Sequence, residues 1–426
     1  MRKNSLTESI SLVKRLISFA IAFQAGTTAV IGRAICGYGT EPKFNSADLV
    51  PIRSVLVVRL DEIGDMVMFS PFLRALRKHL PEAHITLVVK PGVRNLVELC
   101  PYTNEVLTFD QRGGRIERFL LLPLRAMLFA VRYLRGRVYD LALLPRWDAD
   151  YYYAAFVAFW SGAPRRIGYS ESVTAYKSVV NRGFDRLLTQ TLNEPVLRHD
   201  IEHNMAMIRF LGGDADDDYQ EVWLGESDRH FAENTLREQG FEPGQKIFGI
   251  GPSGGHSVFK QWPLENYAKL GRRLQEKWGA KIILFGGPGE EEMGRVLADG
   301  LGPGTLNLMG RTTIRQMAAV MARCNAYVGN DSGPTHIAAA SNIPVVAIFG
   351  SSCRHRFHPG ENTRLVWREL SCGPCQRTNH QEERCHTCIF DQPHCLTEIS
   401  VDEVLRVVAE SISAPAHRLP LTAKSV

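Results

Sequence analysis

The sequence lacks an apolar run of the kind that crosses a membrane. Its strongest candidate, residues 16–32, carries no charge but has only seventeen residues and includes several polar ones, whereas a spanning helix needs about 20 mostly apolar residues. Lys14 and Arg15 precede it, and no small-residue cleavage pattern of the secretory kind follows. We interpret this segment as an interfacial helix anchored by its basic residues; packing on the body or on another subunit is the alternative.

Cysteine is scarce. Nine cysteines in 426 residues are too few for a disulfide scaffold of this size. Five of them lie between Cys372 and Cys395, a clustering that is typical of a metal site.

Net charge is also small, at +5, but it is unevenly distributed. Seven arginines fall between Arg112 and Arg137 against the single acid Glu117. This excess indicates an anionic partner, such as a membrane surface, nucleic acid or phosphorylated glycolipid, and a solvated helix face is the alternative.

The length of 426 residues predicts two domains. A strand-like run at 54–60 is followed by a turn at Gly64, a helical pattern from Met66 to Leu80 and a second strand-like run at 84–89. This β-α-β unit favours a parallel sheet. Strand-like runs at 246–250, 281–285, 326–329 and 344–349 repeat the alternation. The predicted fold class is therefore α/β, with two Rossmann-like, doubly wound parallel-sheet domains facing across a cleft.

The glycine- and acid-rich segment from Leu211 to Tyr219 separates the two halves. We place an N-terminal amphipathic or apolar extension at 1–47, a first domain at 48–215, a second domain at 216–412 and a flexible tail at 413–426. The second domain includes the cysteine-rich segment 372–395. Ligands of such sheets bind at the carboxyl ends of the strands, so the cleft between the domains is the predicted site.

Asp65 follows the first predicted strand, directly after Gly64. A carboxylate in this loop faces the cleft and is positioned to act as a general base on an acceptor hydroxyl. Its alternative role is to cap the next helix.

Three further loops of the second domain carry polar groups that suit a nucleotide sugar. The loop 251–263 offers glycine amides, Ser253 and Lys260 to a diphosphate, without Walker spacing. Glu290 ends the next loop and could accept hydrogen bonds from a ribose or serve as a favourable helix N-terminal charge. The segment from Gly329 to Ala340 places Asp331, Ser332, Gly333 and His336 around a helix N-terminus near Pro334.

With these residues assembled, the chain resembles the ADP-heptose:lipopolysaccharide heptosyltransferases, the ninth family of glycosyltransferases, which have the GT-B architecture. Each match alone is weak, but their order along residues 54–410 is specific. The matched segments are 57–65 with Pro71 and Leu76, 166–168, 199–203, 260–267, 287–290 and 330–340.

The resemblance implies inverting transfer of a heptose from an ADP-linked donor to a lipopolysaccharide core acceptor, without a catalytic metal or other cofactor. It makes the first domain the acceptor side and the second the donor side. Asp65 matches the family's proposed base. The implied donor-binding residues are Ser253, Lys260, Glu290, Asp331, Ser332, Gly333 and His336, with Thr312 in a loosely aligned donor loop.

The paired cysteines Cys372, Cys375, Cys385 and Cys388 form two CxxC sequences, a pattern that suits structural zinc or iron. Reduced, unliganded cysteines in a surface loop are the alternative. Relatives that glycosylate autotransporter proteins hold iron in such a segment, so the resemblance leaves open a protein or other surface-glycan acceptor. The sequence is also compatible with a GT-B nucleotide-sugar epimerase and with a non-catalytic scaffold that binds nucleotide sugars.

ADP-linked donors are made in the cytoplasm, and an anionic glycolipid acceptor lies in the inner membrane. We therefore expect a cytoplasmic enzyme in peripheral contact with the cytoplasmic face of that membrane, and no nucleic-acid partner. Residues 8–32 would form an apolar foot, and the arginines from Arg112 to Arg137 an electrostatic contact. We expect Pro123 to begin a helix on which Arg125 and Arg132 share a face.

Overall fold

The protein is described by a computed structural model that covers residues 2–36, 52–215, 217–255, 257–373, 375, 388 and 390–413. For residues 2–16, 35, 36, 115, 116, 118, 119 and 258 it describes the backbone alone.

The first half of the chain forms a parallel sheet in the order β3-β2-β1-β4-β5-β6. Val57 of the central strand pairs with Leu87 on one side and Leu143 on the other. The strands are β1 (Ser54–Val58), β2 (His84–Val89), β3 (Glu105–Thr108), β4 (Leu141–Leu144), β5 (Arg165–Tyr169) and β6 (Gln190–Leu192). The helices are α1 (Arg2–Cys36), α2 (Ile63–Met68), α3 (Ser70–His79), α4 (Arg94–Val97), α5 (Arg115–Tyr133), α6 (Ala154–Trp160), α7 (Lys177–Val180) and α8 (Asp200–Phe210).

The second half repeats this topology in the order β12-β11-β10-β7-β8-β9. Its strands are β7 (Ile247–Gly251), β8 (Lys281–Leu284), β9 (Thr305–Asn307), β10 (Ala326–Asn330), β11 (Val345–Phe349) and β12 (Thr363–Trp367). Its helices are α9 (Glu226–Glu238), α10 (Leu264–Trp278), α11 (Glu291–Leu301), α12 (Ile314–Met321), α13 (Gly333–Ala340), α14 (Arg354–Phe357), α15 (His394–Thr397) and α16 (Val401–Ser413).

Both sheets have the Rossmann strand order, in which the order of strand addition along the sheet reverses between the first and fourth strands. The predicted fold class is thereby confirmed. The reversal points lie between β1 and β4 and between β7 and β10, which is where open α/β sheets generally bind ligands. The domain boundary at 211–219 lies between the two sheets and stays a prediction.

The two halves meet through helices rather than strands. One continuous apolar core joins the inner faces of both sheets, and within it α2 packs against α13. Two further cores cover the outer faces, one under α5 and α6 and the other under α10 and α16. The contact between α2 and α13 brings the loop after β1 against the loop after β10.

The predicted helix from Met66 to Leu80 is two helices, α2 and α3. Pro71 has no N–H to donate to the carbonyl of Val67, which lies four residues earlier, and the hydroxyl of Ser70 donates to that carbonyl instead, at 2.7 Å. The break at Phe69 leaves α2 as a short element at the interface.

Pro123 lies inside α5 and does not begin it, contrary to the prediction. Leu122, Ala126 and Ala130 are fully buried at helical spacing on either side of this proline. Burial of this continuous apolar face outweighs the backbone hydrogen bond that proline removes.

The predicted N-terminal helix is α1, which packs on the first half through one face only. Ile21, Ala25 and Ala29 are buried against the core that also contains α5 and α6, whereas Phe19 and Phe23 on the opposite face are 68% and 64% exposed. Among the described residues, no helix combines the length and apolar character that a membrane crossing requires.

Gly64 permits the close approach of α2 to α13. A Cβ atom at this position would lie 2.8 Å from Cδ2 of the buried His336. We expect Gly64→Ala to destabilise the protein by about 1–3 kcal/mol because it overpacks the interface. Urea unfolding followed by tryptophan fluorescence measures the change. Gly92→Ala is the matched control, since nothing lies within 4 Å of its added Cβ; equal midpoints for the two variants would contradict the steric argument.

Candidate active site

Asp65 lies in the first turn of α2, at the reversal point of the first sheet. Its Oδ2 accepts a hydrogen bond from the backbone N–H of Glu62 at 3.3 Å, so the predicted capping contact is present. Burial raises the pKa of Asp65 to about 6; the charge of Asp200 adds to the rise, and the cations of Arg59 and Arg356 oppose it. A carboxylate with this pKa is ionised at neutral pH and still basic enough to take a proton.

A network of buried ion pairs surrounds Asp65. Arg59 donates to Asp200 at 3.0 Å and also pairs with Asp61, which in turn pairs with Arg146. Arg146 lies 2.9 Å from Asp148. Because buried charges are costly unless they are paired, the network fixes these side chains in one arrangement.

Arg356 joins this network from the second half of the chain. Arg356 belongs to the short helix α14, and its Nη2 lies 2.5 Å from Asp148 and 3.3 Å from Asp200. All three side chains are at least 95% buried. Burial would lower the pKa of Arg356, but the two carboxylates raise it, so the arginine stays charged. The electrostatics around Asp65 therefore depend on both domains.

Lys260 and Asp331 meet above the reversal point of the second sheet. The ammonium lies 2.9 Å from Oδ2 of Asp331, and Nε2 of His336 lies 3.7 Å from Oδ1. Burial would raise the pKa of Asp331, but Lys260 and His336 hold that pKa well below its usual range. As a carboxylate, Asp331 would repel a phosphate, so within this group it orients the lysine. Its contact with the donor stays a prediction.

Ser253 and Glu290 are also brought together, although 37 residues separate them. The Ser253 hydroxyl donates to Glu290 and accepts from the amide of Gly255 at 3.0 Å. The other carboxylate oxygen of Glu290 accepts from the amide of Gly287 at 2.8 Å. These contacts fix the ends of β7 and β8 beside the lysine loop, and the roles of Ser253 and Glu290 in donor binding stay predictions.

Ser332, Gly333 and Thr312 are less constrained. Ser332 precedes α13 with extended backbone, and its buried Oγ has no hydrogen-bond partner within the described part of the chain. Gly333 faces Ile63, with its added Cβ only 3.1 Å from the isoleucine. Thr312 has a buried, unpartnered hydroxyl, but no hydrogen bond between described residues connects it to the other predicted donor residues.

The sequence interpretation missed two groups of residues. Asn330 accepts from the amide of Trp262 at 2.9 Å and donates to the carbonyl of Pro252 at 2.7 Å, so it ties the two donor loops together. The sequence could have pointed to Asn330, because this residue opens the segment 330–340 that matches the family. Asp148 and Arg356, in contrast, lie outside every matched segment.

The cysteines are only partly described. Cys372, Cys375, Cys388 and Cys395 are partly exposed and form no disulfide with one another, and the predicted ligand Cys385 lies outside the described residues. Burial raises the pKa of Cys395 to about 12, with the nearby thiols of Cys375, Cys372 and Cys388 adding to the rise. Among described residues, no group of three or more His, Cys, Asp or Glu side chains is arranged to hold a metal.

Sequence comparison supplies relatives over most of the chain. Lipopolysaccharide heptosyltransferase 2 of Escherichia coli is 27% identical over 350 residues, which cover 79% of this chain and 94% of the relative. Lipooligosaccharide heptosyltransferase 2 of Haemophilus ducreyi is 24% identical over 357 residues, which cover 79% of this chain and 95% of the relative.

Solved structures share the fold. A glycosyl transferase family 9 structure from Veillonella parvula matches with a TM-score of 0.70 and 21% identity, covering 87% of this chain and 99% of that one. The E. coli ADP-heptose lps heptosyltransferase II matches with a TM-score of 0.63 and 21% identity, covering 84% and 98%. The iron-containing dodecameric glycosyltransferase TibC of enterotoxigenic E. coli matches with a TM-score of 0.50 and 12% identity. The match covers 84% of this chain and 76% of that one.

The sequence model of glycosyltransferase family 9 (heptosyltransferase) matches residues 128–386, which is more than half of the chain. This match includes the lysine loop, the loop after β8 and the Asp331 turn. Together with the fold and the paired donor residues, it shows that the chain is a glycosyltransferase and belongs to glycosyltransferase family 9, the heptosyltransferases.

Proposed function

We propose that the protein transfers a heptose from an ADP-linked donor to the core oligosaccharide of a lipopolysaccharide acceptor, with inversion at the anomeric carbon. The observation that carries this proposal is the juxtaposition of a base on the first domain with a lysine and helix N-terminus on the second. Relatives named lipopolysaccharide heptosyltransferase 2 and lipooligosaccharide heptosyltransferase 2 align over nearly their whole length, which supports the choice of donor and acceptor.

In this reaction Asp65 takes the proton from an acceptor hydroxyl while the hydroxyl oxygen attacks the anomeric carbon of the donor. The bond from that carbon to the phosphate oxygen breaks, and ADP leaves with an additional negative charge. Lys260 and the positive end of the α13 dipole neutralise this charge as it develops. Asp331 keeps the lysine ammonium in place, so little reorganisation is needed.

We expect Asp65→Asn to abolish transfer while donor affinity stays within about twofold, because the base acts on the acceptor. Loss of a general base costs about 10²–10⁴ in rate. The assay follows ADP release from ADP-heptose in the presence of a lipid A–core acceptor, and calorimetry gives donor affinity. The control is Glu62→Gln, which changes a neighbouring exposed carboxylate.

The pH profile gives a second readout for Asp65. Its pKa of about 6 predicts that kcat/KM falls as pH drops below about 6, since protonation removes the base. Substantial transfer by Asp65→Asn, with an unchanged acid limb, would leave Asp65 with its capping role alone.

We expect Lys260→Ala to weaken donor binding and to slow transfer further, because its charge acts in the ground state and more strongly in the transition state. Donor titration and the ADP-release assay measure the two effects. Lys269→Ala, an exposed lysine on α10, is the control. Equal donor affinity and rate in Lys260→Ala and wild type would refute the phosphate role.

We also propose peripheral contact with the membrane through an apolar surface formed by α1 and α5. Both helices pack on the same core as α6, and their outer faces expose large apolar side chains: Phe19, Phe23, Val30, Ile31, Leu120, Leu121, Leu124, Leu128 and Val131.

The arginines from Arg112 to Arg137 contribute less to this membrane contact than their number predicts. Arg112, Arg125 and Arg137 pair with Asp110, Glu117 and Glu105. An arginine near an anionic surface is worth about 1 kcal/mol, and an existing acidic partner offsets part of that. The apolar faces of α1 and α5 therefore dominate the proposed contact.

We expect Phe19→Glu with Phe23→Glu to reduce co-sedimentation with anionic vesicles at low salt, since the charges oppose insertion of this face. These variants are preferable to removal of α1, which would uncover a buried face. Val296→Glu changes an exposed apolar residue on α11, away from this surface, and serves as the control. If wild-type protein stays in the supernatant, or the double variant sediments as well as wild type, the membrane proposal is wrong.

We propose further that the cysteine-rich segment binds one structural zinc or iron ion. Four soft thiolate donors suit tetrahedral binding of either metal, and the thiols of Cys372, Cys375 and Cys388 lie near Cys395. Cys395 therefore competes with Cys385 for the place of fourth ligand. The chemistry of this donor set fits a metal.

We expect about one metal ion per chain after purification under reducing, chelator-free conditions, by elemental analysis. Cys372→Ser should lose the metal, and Cys395→Ser compared with Cys385→Ser identifies the fourth ligand. Cys100→Ala, far from the segment in sequence and buried in the first half, should keep it. Metal-free wild-type protein would count decisively against the site.

A further inference from the structure

A cavity of about 460 Å³ lies at the carboxyl ends of β11 and β12, next to the donor residues but distinct from them. Its wall includes residues 350–355 after β11, residues 367–370 at the end of β12 and residues 197–199 of the first half, and Cys372, Cys375 and Cys395 of the cysteine-rich segment close one side of it. The cavity is therefore bounded by both domains, as a subsite for a second substrate of an interdomain enzyme would be.

The lining of this cavity is basic. Of the residues that the structure describes there, Arg198, Arg354 and Arg368 face the single acid Glu369. Arg368 is neutralised by Glu403, to which it donates at 2.8 Å. Arg198 has acidic neighbours at 3.6 Å.

Arg354 is different from these two arginines. Its guanidinium carbon lies 3.4 Å from the centroid of the Trp367 ring, and it makes no ion pair with any described residue. Stacking on an indole holds the guanidinium plane in place while its N–H groups stay available for a ligand. Arg354 is thus a fixed cation without a carboxylate partner among the described residues.

Ser351 supplies an unpartnered polar group in the same wall. Its side chain is 5% exposed, and its Oγ has no hydrogen-bond partner within the described residues. A buried hydroxyl without a partner is unfavourable, and such groups in native proteins usually have one. A rotation of the Ser351 side chain that turns this hydroxyl toward the cavity would give it a ligand oxygen as partner.

The position of the cavity along the sheet indicates which part of the substrates it takes. Glu290 lies at the end of β8, Lys260 and Asp331 lie around β7 and β10, and the cavity lies beyond them at β11 and β12. Neighbouring strands are about 4.8 Å apart, so the cavity is about 5–10 Å beyond Asp331. A donor laid out with its nucleoside at β8 would point its sugar toward the cavity.

We propose that this cavity is an oxyanion subsite for the acceptor, in which Arg354 and Ser351 donate hydrogen bonds to a phosphate or carboxylate of the acceptor saccharide. The proposal rests on the proposed function, since the donor's own diphosphate is already accounted for by Lys260 and α13. A planar guanidinium binds either oxyanion through two parallel hydrogen bonds.

Steady-state kinetics test the subsite. We expect Arg354→Ala to raise the KM for a phosphorylated lipid A–core acceptor by about 10–100-fold, the loss typical of one charge-assisted hydrogen-bonding group, with the KM for ADP-heptose within about twofold. Ser351→Ala should show a smaller increase. Arg295→Ala, an exposed arginine on α11, is the control and should match wild type.

Modified acceptors distinguish the two oxyanions. Phosphatase-treated and carboxyl-reduced acceptors should each be compared with the parent acceptor, using wild type and Arg354→Ala. The modification that removes the bound oxyanion should weaken wild type about as much as the arginine substitution does, and should have little further effect on Arg354→Ala. Insensitivity of wild type to both modifications, or a raised donor KM in Arg354→Ala, would overturn the proposal.

A binding experiment separates failure of the subsite from failure of the proposed function. The full chain, saturated with ADP, is titrated with inorganic phosphate and with acetate while tryptophan fluorescence is followed. We expect a saturable change that disappears in Trp367→Phe and weakens at least about tenfold in Arg354→Ala. If phosphate or acetate binds but no heptose is transferred, the proposed donor or acceptor is wrong and the subsite stands. If neither anion binds saturably, the subsite is refuted.

Discussion

Arg356 carries a full positive charge from the second half of the chain into a buried position between Asp148 and Asp200 of the first half. Removing one partner of a buried ion pair is costly, because the remaining charge is left without compensation. Separation of the domains would require hydration of all three groups. This ion cluster and the contact between α2 and α13 therefore determine one relative position of the two sheets, and the active site depends on that position.

The same cluster connects domain position to the chemistry of Asp65. Burial and the charge of Asp200 raise the pKa of Asp65, while Arg59 and Arg356 oppose the rise. If Arg356 moved away with the second domain, Asp65 would lose this opposing charge, but it would also be hydrated, which removes the largest cause of its raised pKa. The pKa of about 6 therefore belongs to the arrangement in which both halves of the chain surround Asp65.

On the donor side, polar groups are oriented by one another. Lys260 is held by Asp331, Ser253 by Glu290, and the loops carrying Lys260 and Asp331 are joined through Asn330. Preorganised charges stabilise a developing anion better than mobile ones, because they need not reorganise during the reaction. The cost of holding Asp331 ionised in a buried place is offset by the cation beside it.

The sequence by itself determined the two α/β domains and the loops that carry the chemistry, because strand runs, helical spacing and glycine turns are local properties of the chain. Tertiary structure decided which of those side chains meet. Arg356 pairs with Asp148 across 208 positions of sequence, and Lys260 with Asp331 across 71. No local pattern encodes such pairs, since only the packing of α2 on α13 and the order of the strands brings them within reach. The same reason explains why Asp331 is an orienting group and why three of the arginines already have acidic partners.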